Sequence, residues 1–101
     1  MVEINKYDEL KKAYQEHELC LVKIGTTWCG PCKVVQINME NIENLHPNVY
    51  FISVNADNAD DAIIDEYSIR SIPVTLVVKN GEVVSREVGL QTETQLIERL
   101  N

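Results

Sequence analysis

The chain has 101 residues, enough for one small domain, and 45% of them are hydrophobic, as expected of a protein that builds a packed core. Sixteen acidic against nine basic residues give a net charge of −7. No basic patch of the kind that follows a phosphate backbone is present, so nucleic acid is not an expected partner.

No segment of the sequence is apolar enough for secretion or for insertion into a membrane. The N-terminus lacks the apolar stretch of a signal peptide, and no run approaches the roughly 20 apolar residues of a membrane span. We therefore expect one soluble domain over residues 1–101, located in the cytoplasm. Its three cysteines are too few for a disulfide scaffold, so closely spaced cysteines indicate catalysis or metal binding.

The first part of the chain predicts a short strand, a helix and a buried strand. Residues 2–4 favour the short strand, and an apolar face then begins near Tyr7, with Asp8 as the expected N-cap of a helix. Residues 19–25 (LCLVKIG) are apolar on both faces except at Lys23. That pattern is typical of a central parallel strand covered on both sides.

The middle of the chain alternates between helix and strand in the same way. Apolar residues recur at helical spacing after Pro31, and Pro47 marks the end of that helix. Residues 49–55 form the next predicted strand, and a further helical stretch lies within residues 59–69.

The last part of the chain predicts a β-hairpin followed by a helix. Asn80-Gly81 separates a strand over residues 74–78 from a return strand over residues 82–89. Asn-Gly between two β-rich runs is the strongest short-range hairpin signal. Thr92 and Gln95 have the spacing of a capping box that starts the final helix.

The predicted order of elements is β-α-β-α-β-α-β-β-α. Alternation in the first part implies parallel strands, and the closing hairpin adds an antiparallel edge. The sequence therefore predicts an α/β fold, a three-layer α/β/α sandwich with a mixed central sheet.

Cys29 and Cys32 are the residues most indicative of chemistry. Cys29 lies between the buried strand and the following helix, where unpaired backbone N–H groups and the helix dipole stabilise a thiolate. Cys32, one turn later, is close enough to form a disulfide with it. We expect Cys29 to be the exposed attacking thiolate and Cys32 the more buried resolving thiol. Pro31 suits a helix start, and Gly30 leaves room for a substrate chain.

Half of a zinc site is the alternative interpretation of such a pair. Zinc takes four ligands, so the chain would need a second pair at suitable spacing. The remaining candidates are Cys20, His17 and His46, and they form no such pair. We therefore predict no metal.

Four short segments carry a recognisable family pattern. They are WCGPCK (28–33), IRSIP (69–73), KNGE (79–82) and VG (88–89). In that order they resemble the active-site motif, the cis-proline segment, the hairpin and the valine-glycine beside the substrate groove of the thioredoxin family. The resemblance covers essentially the whole chain. The resemblance implies the thioredoxin fold and a thiol–disulfide oxidoreductase that reduces protein disulfides.

The resemblance also implies a role for each matched residue. Cys29 is then the nucleophile, Cys32 the resolving thiol, and Pro73 a cis-proline facing their disulfide. The backbone of Ile72 would hydrogen-bond a substrate strand. The implied substrate groove is formed by Trp28, Gly30, Pro31, Ile72, Pro73 and Gly89.

Cofactor and partners follow from the same resemblance. A protein of this family binds no cofactor of its own and receives electrons from NADPH through a thioredoxin reductase. The expected partners are therefore that reductase and disulfide-bonded proteins, and the chain is expected to be a monomer.

Lys23 departs from the family pattern, because thioredoxins usually have a buried acid at this position. In one hypothesis its ammonium lowers the pKa of a thiol and, when neutral, accepts a proton. In the other hypothesis, the stem of Lys23 follows the sheet and its ammonium reaches water or an acid, with Asp57 as a possible partner.

Gly25 also replaces a residue that is commonly aromatic in the family, which predicts a looser loop before Trp28.

Other functions and roles stay open from the sequence. An oxidant or isomerase would use the same cysteine chemistry at a different reduction potential. A thioredoxin-like binding module with a dedicated client would not turn over at all. Cys20 alternates with apolar residues and is interpreted as a buried core residue, with a regulatory thiol as the alternative.

Overall fold

Five strands form a single mixed sheet with four helices in the computed structural model, which covers residues 1–101. In chain order the elements are β1 (Val2–Glu3), α1 (Tyr7–Glu16), β2 (Leu19–Gly25), α2 (Gly30–Glu43), β3 (Tyr50–Asn55), α3 (Asp61–Glu66), β4 (Val74–Lys79), β5 (Glu82–Val88) and α4 (Glu93–Leu100). The predicted order of elements and the α/β class are confirmed. No helix is both long and apolar enough to cross a membrane.

The strands lie in the order β1-β3-β2-β4-β5. β1 and β2 both pair with β3 in parallel, whereas β4 pairs antiparallel with β2 and with β5. The central β2 is thus hydrogen-bonded on both sides, with Val22 opposite Ile52 on one side and Leu76 on the other. Its burial along nearly its whole length explains why its sequence is almost uniformly apolar.

Alternation along β2 divides the core into two layers. Cys20, Val22 and Ile24 pack with α1 and α3, whereas Leu21 packs with α2 and α4. Because side chains alternate between the two faces of a strand, Lys23 and Gly25 lie on the α2 face. The predicted lysine therefore lies under the helix that carries the cysteine pair.

The start of α1 differs from the prediction. Lys6 is the N-cap and makes no capping bond with its side chain, and Asp8 lies within the first turn. The backbone N–H of Tyr7 instead donates to Asp60 Oδ2 at 2.8 Å. Asp8 as the N-cap is wrong because an acid distant in sequence accepts the hydrogen bond that a local cap would have accepted.

Two local signals fold as their chemistry predicts. Asn80 and Gly81 both have positive φ, 52° and 82°, as the tight turn of a two-residue hairpin requires. Thr92 Oγ1 accepts from the N–H of Gln95 at 3.1 Å, and Gln95 Oε1 accepts from the N–H of Thr92 at 2.8 Å. This capping box starts α4, which carries the buried Leu96 into the core.

Replacing Thr92 by alanine tests the contribution of the capping box. We expect T92A to lower the free energy of unfolding by about 1 kcal/mol, because the N–H of Gln95 loses its side-chain acceptor at the start of α4. Urea denaturation followed by circular dichroism measures the change. Thr94→Ala is the matched control, since Thr94 is exposed in the first turn of the same helix. Equal stability of the two variants would contradict the assignment.

Candidate active site

The two cysteines meet where β2 leads into α2. They form a disulfide, with their Cα atoms 5.2 Å apart. Cys29 is the N-cap of α2, and its Sγ accepts the backbone N–H of Cys32 at 3.2 Å. In the reduced protein the same N–H and the positive end of the helix dipole would stabilise negative charge on that sulfur.

The two sulfurs differ in their access to solvent. Cys32 is completely buried, whereas Cys29 keeps 8% of its surface exposed. Gly30 and Pro31 between them are exposed, and Pro31 occupies the first turn of α2, where a missing N–H leaves no hydrogen bond unmade. Cys29 is therefore the sulfur that a second protein can reach first.

Two other predicted groove segments, at Pro73 and at Gly89, contact each other. The Ile72–Pro73 peptide bond is cis, as the resemblance implies. Pro73 is buried, and its carbonyl accepts the N–H of Gly89 at 2.8 Å, with Gly89 at a φ of 97°. The hydrogen bond joins the cis-proline segment to the end of β5, so two of the predicted groove segments meet.

Trp28 is held beside the cysteine pair by a hydrogen bond that the sequence did not reveal. Its indole is 69% exposed, and Nε1 donates to Asp57 Oδ2 at 2.8 Å. Asp57 is therefore not the partner of Lys23, and that suggestion is wrong. The carboxylate instead fixes the orientation of the exposed ring beside Cys29.

Lys23 is a buried ammonium whose protein partner is neutral. Only 7% of the residue is exposed, and Nζ donates to Gln36 Oε1 at 2.7 Å. The two ion pairs in the structure, Met1 with Glu43 and Lys11 with Glu66, do not involve it. Burial lowers the pKa of Lys23, while the charges of nearby Glu3 and Glu40 oppose that shift.

Gly25 brings this lysine and Cys32 close together. A Cβ built at Gly25 would lie 2.7 Å from Cys32 Sγ and 3.8 Å from Lys23 Cε. The lysine stem and the sulfur therefore both lie within contact distance of one bare backbone position. Gly25 itself is buried, and the looser loop before Trp28 that the missing aromatic residue suggests stays a prediction. A glycine at a strand end was the available signal for such a close approach.

The third cysteine lies away from this chemistry. Cys20 is completely buried on the α1 and α3 face of the sheet, and burial raises the pKa of its thiol to about 11. His17 stacks on the ring of Tyr50, with centroids 3.6 Å apart. No group of three or more histidine, cysteine or acidic residues is arranged to hold a metal ion.

Comparison with known proteins places the chain in a family. The thioredoxin family model matches residues 2–101. The chain belongs to the thioredoxin family. Its members are protein-disulfide oxidoreductases that carry no prosthetic group and use a redox-active disulfide, which agrees with the activity predicted from the sequence.

Individual thioredoxins resemble the chain to different extents. Thioredoxin from Rickettsia felis is 37% identical over 93 residues, covering 90% of this chain and 88% of that protein. Thioredoxin-2 from Pyricularia oryzae is 33% identical over 81 residues, covering 80% of this chain and 47% of the relative. The chain thus spans about half the length of the Pyricularia oryzae protein and most of the length of the Rickettsia felis protein. The structure of Fasciola hepatica thioredoxin superposes with a TM-score of 0.90 at 28% identity, covering 99% of this chain and 96% of that one.

The lowered pKa of Lys23 predicts a pH-dependent effect of replacing it. At neutral pH we expect Lys23→Met to raise the free energy of unfolding by about 1–4 kcal/mol, by analogy with the range seen when buried ion pairs are replaced by well-packed apolar residues. Between the lowered pKa of Lys23 in the folded chain and its ordinary value of 10.5, the unfolded chain keeps a proton on Lys23 that the folded chain has lost. The wild type therefore gains stability as pH rises through this range. The advantage of the variant should therefore shrink with rising pH.

Denaturant unfolding of the disulfide form across this pH range measures the difference. Lys79→Met is the control, because Lys79 is exposed at the end of β4, and we expect it to change stability little at any pH. A Lys23→Met variant that is less stable than the wild type at neutral pH would refute the prediction.

Proposed function

We propose that this chain reduces protein disulfides through a reversible Cys29–Cys32 dithiol/disulfide cycle. The observation that carries the proposal is the asymmetry of the pair: Cys29 caps α2 and keeps exposed surface, and Cys32 is completely buried behind it. That arrangement suits a nucleophile that meets the substrate and a thiol that resolves the product.

The cycle consists of two exchanges of a sulfur–sulfur bond. The Cys29 thiolate attacks one sulfur of the substrate disulfide, forms a mixed disulfide, and expels the other substrate sulfur as a thiolate. Cys32 then loses its proton and attacks Cys29 Sγ, which forms the Cys29–Cys32 disulfide and releases the second substrate thiolate. Two electrons pass to the substrate, and its two sulfurs end as thiols after taking up two protons.

Substrate binding is proposed at the exposed rim of the pair. Ile72 is partly exposed, and neither its N–H nor its carbonyl has a hydrogen-bond partner in the chain. An extended substrate segment can pair with that backbone in the manner of an added strand. Trp28 and Leu90, 69% and 58% exposed, offer apolar surface for the substrate side chains.

Regeneration is proposed through a thioredoxin reductase that uses NADPH, with the chain acting as a monomer in the cytoplasm. The support is membership of the family, together with a site in which the disulfide is the redox group. A more oxidising role, as an oxidant or isomerase, is the second candidate. Lys23 favours it, because a nearby ammonium stabilises the thiolates of the reduced form.

Lys23 is proposed to assist the second exchange. Its Cε and the Cys32 sulfur lie within contact distance of the same point at Gly25, and burial lowers the pKa of the ammonium. In its neutral form the amine can accept the Cys32 proton, and once charged it stabilises the thiolate that attacks Cys29. Gln36 Oε1, which accepts from Nζ at 2.7 Å, positions the lysine for both steps.

Serine substitutions separate the roles of the cysteines. The assay is the reduction of insulin disulfides with dithiothreitol as the source of electrons. In Cys29→Ser and in Cys32→Ser we expect the catalysed rate to fall by at least about a hundredfold. Cys32→Ser should accumulate a mixed disulfide with the substrate, detectable by mass spectrometry, because the first exchange still occurs and the second cannot. Cys29→Ser should accumulate none.

Cys20→Ser is the matched control for these variants. Cys20 lies in the core on the opposite face of the sheet, so turnover should be retained even if stability falls. The assigned roles would be reversed if the Cys29→Ser variant trapped a mixed disulfide at Cys32 and formed it as fast as the wild type forms one. Absence of turnover in the wild type would favour a binding module.

A further inference from the structure

A cavity of about 430 Å³ lies between α2 and the parallel part of the sheet. Its lining includes Lys23 of β2, Gln36 of α2 and Ser53 of β3, with Glu3 of β1 and Thr26 of the following loop. The volume falls within the range of small-molecule sites and well above that of a single water molecule. Gly25 also lines it, so the cavity borders the position that contacts Cys32.

Two buried polar groups in this lining have hydrogen-bonding capacity that the protein does not use. Lys23 Nζ carries up to three protons, and Gln36 Oε1 is its one protein acceptor. The hydroxyl of Thr26, a residue only 7% exposed, is the one buried side-chain polar atom without a hydrogen-bond partner in the protein. Buried polar groups are normally satisfied, so both point to an acceptor that the protein itself does not supply.

The nearby carboxylates limit the charge of that acceptor. Glu3 already accepts from Asn5, and Glu40 accepts from Gln36, but both charges act on Lys23. A single negative charge can pair with the buried ammonium of Lys23, with the exposed Lys33 as a second cation of the lining, whereas a further negative charge would lie near Glu3. Ile37 and the carbon stems of the lining lysines leave apolar wall for the body of a ligand.

We propose that this cavity binds a small organic monocarboxylate, with Lys23 as its main hydrogen-bond donor and Thr26 as a second. The ligand borders the redox pair without lying in the substrate groove. It satisfies a buried ammonium that the chain leaves with one neutral partner.

Coupling to the cysteines follows from the position of Lys23, and this part rests on the proposed function. A bound carboxylate and a thiolate at Cys32 compete for the same ammonium. The ligand should therefore bind more tightly to the disulfide form than to the dithiol form, and by linkage it should favour the disulfide.

Benzoate is the probe, titrated into the disulfide form of the wild-type protein and followed by amide NMR. We expect saturable shifts at Thr26, Thr27 and Ser53, and none at Val83 on the far edge of the sheet. Lys23→Met should weaken binding by roughly tenfold or more, as loss of a charge-assisted hydrogen bond implies. Lys79→Met should bind like the wild type.

Benzamide provides a test that needs no variant, because it has nearly the same shape without the charge. It should bind at least roughly tenfold more weakly than benzoate. Absence of saturable shifts with benzoate, or equal binding of benzamide, would overturn the site. Equal benzoate affinity for the disulfide and dithiol forms would overturn the coupling.

Insulin reduction measured without benzoate separates this inference from the proposed function. Turnover without benzoate binding means that the cavity proposal alone fails. Benzoate binding without turnover means that the proposed reductase activity fails while the binding site stands.

Discussion

A bare backbone position at Gly25 lets the end of β2 lie directly against the first turn of α2. A Cβ there would come within 2.7 Å of the Cys32 sulfur, so the close contact depends on glycine in this geometry. The contact brings the strand end and the helix start together, with Cys29 as the helix cap and Cys32 buried beneath it. Lys23 precedes Gly25 on the same face of the strand, and its Cε lies within 3.8 Å of the same point.

The charge on Lys23 then has opposite effects on folding and on chemistry. A buried ammonium with a neutral partner destabilises the folded chain, because its desolvation is not offset by an ion pair. The same ammonium stabilises negative charge on a nearby sulfur, which favours the reduced form of the pair. Loss of stability at a site that gains reactivity is a common compromise in enzymes, and here one side chain produces both.

Local chemistry made much of this structure predictable. Asn80-Gly81 and the Thr92–Gln95 box specify their own backbone geometry, and the alternation along β2 specified which of its residues share a face. Contacts between segments distant in sequence were not predictable in this way. Asp60 caps α1, Asp57 holds Trp28, and Gln36 accepts from Lys23, and each depends on packing that no spacing encodes.

The candidate site also has a part that the sequence predicted and a part that depends on contacts between distant segments. Cys29 and Cys32 follow from a motif within one turn of helix, and the cis bond before Pro73 followed from resemblance to a family. The surroundings of Lys23 required the folded chain. Its neutral partner comes from α2 and its opposing charges from β1 and α2, so neither its burial nor the cavity beside it could be read from residues 19–25.

The reduction potential of the Cys29–Cys32 pair, in the wild type and in Lys23→Met, tests the central claim most directly. Equilibration in glutathione and dithiothreitol buffers, followed through the fluorescence of Trp28, the single tryptophan, gives both values. We predict a wild-type potential below the glutathione poise of about −220 to −260 mV. The variant should be lower still, because its thiolates lose the ammonium. A wild-type potential at or above that poise would contradict the reductase, and equal potentials would show that Lys23 does not act on the pair.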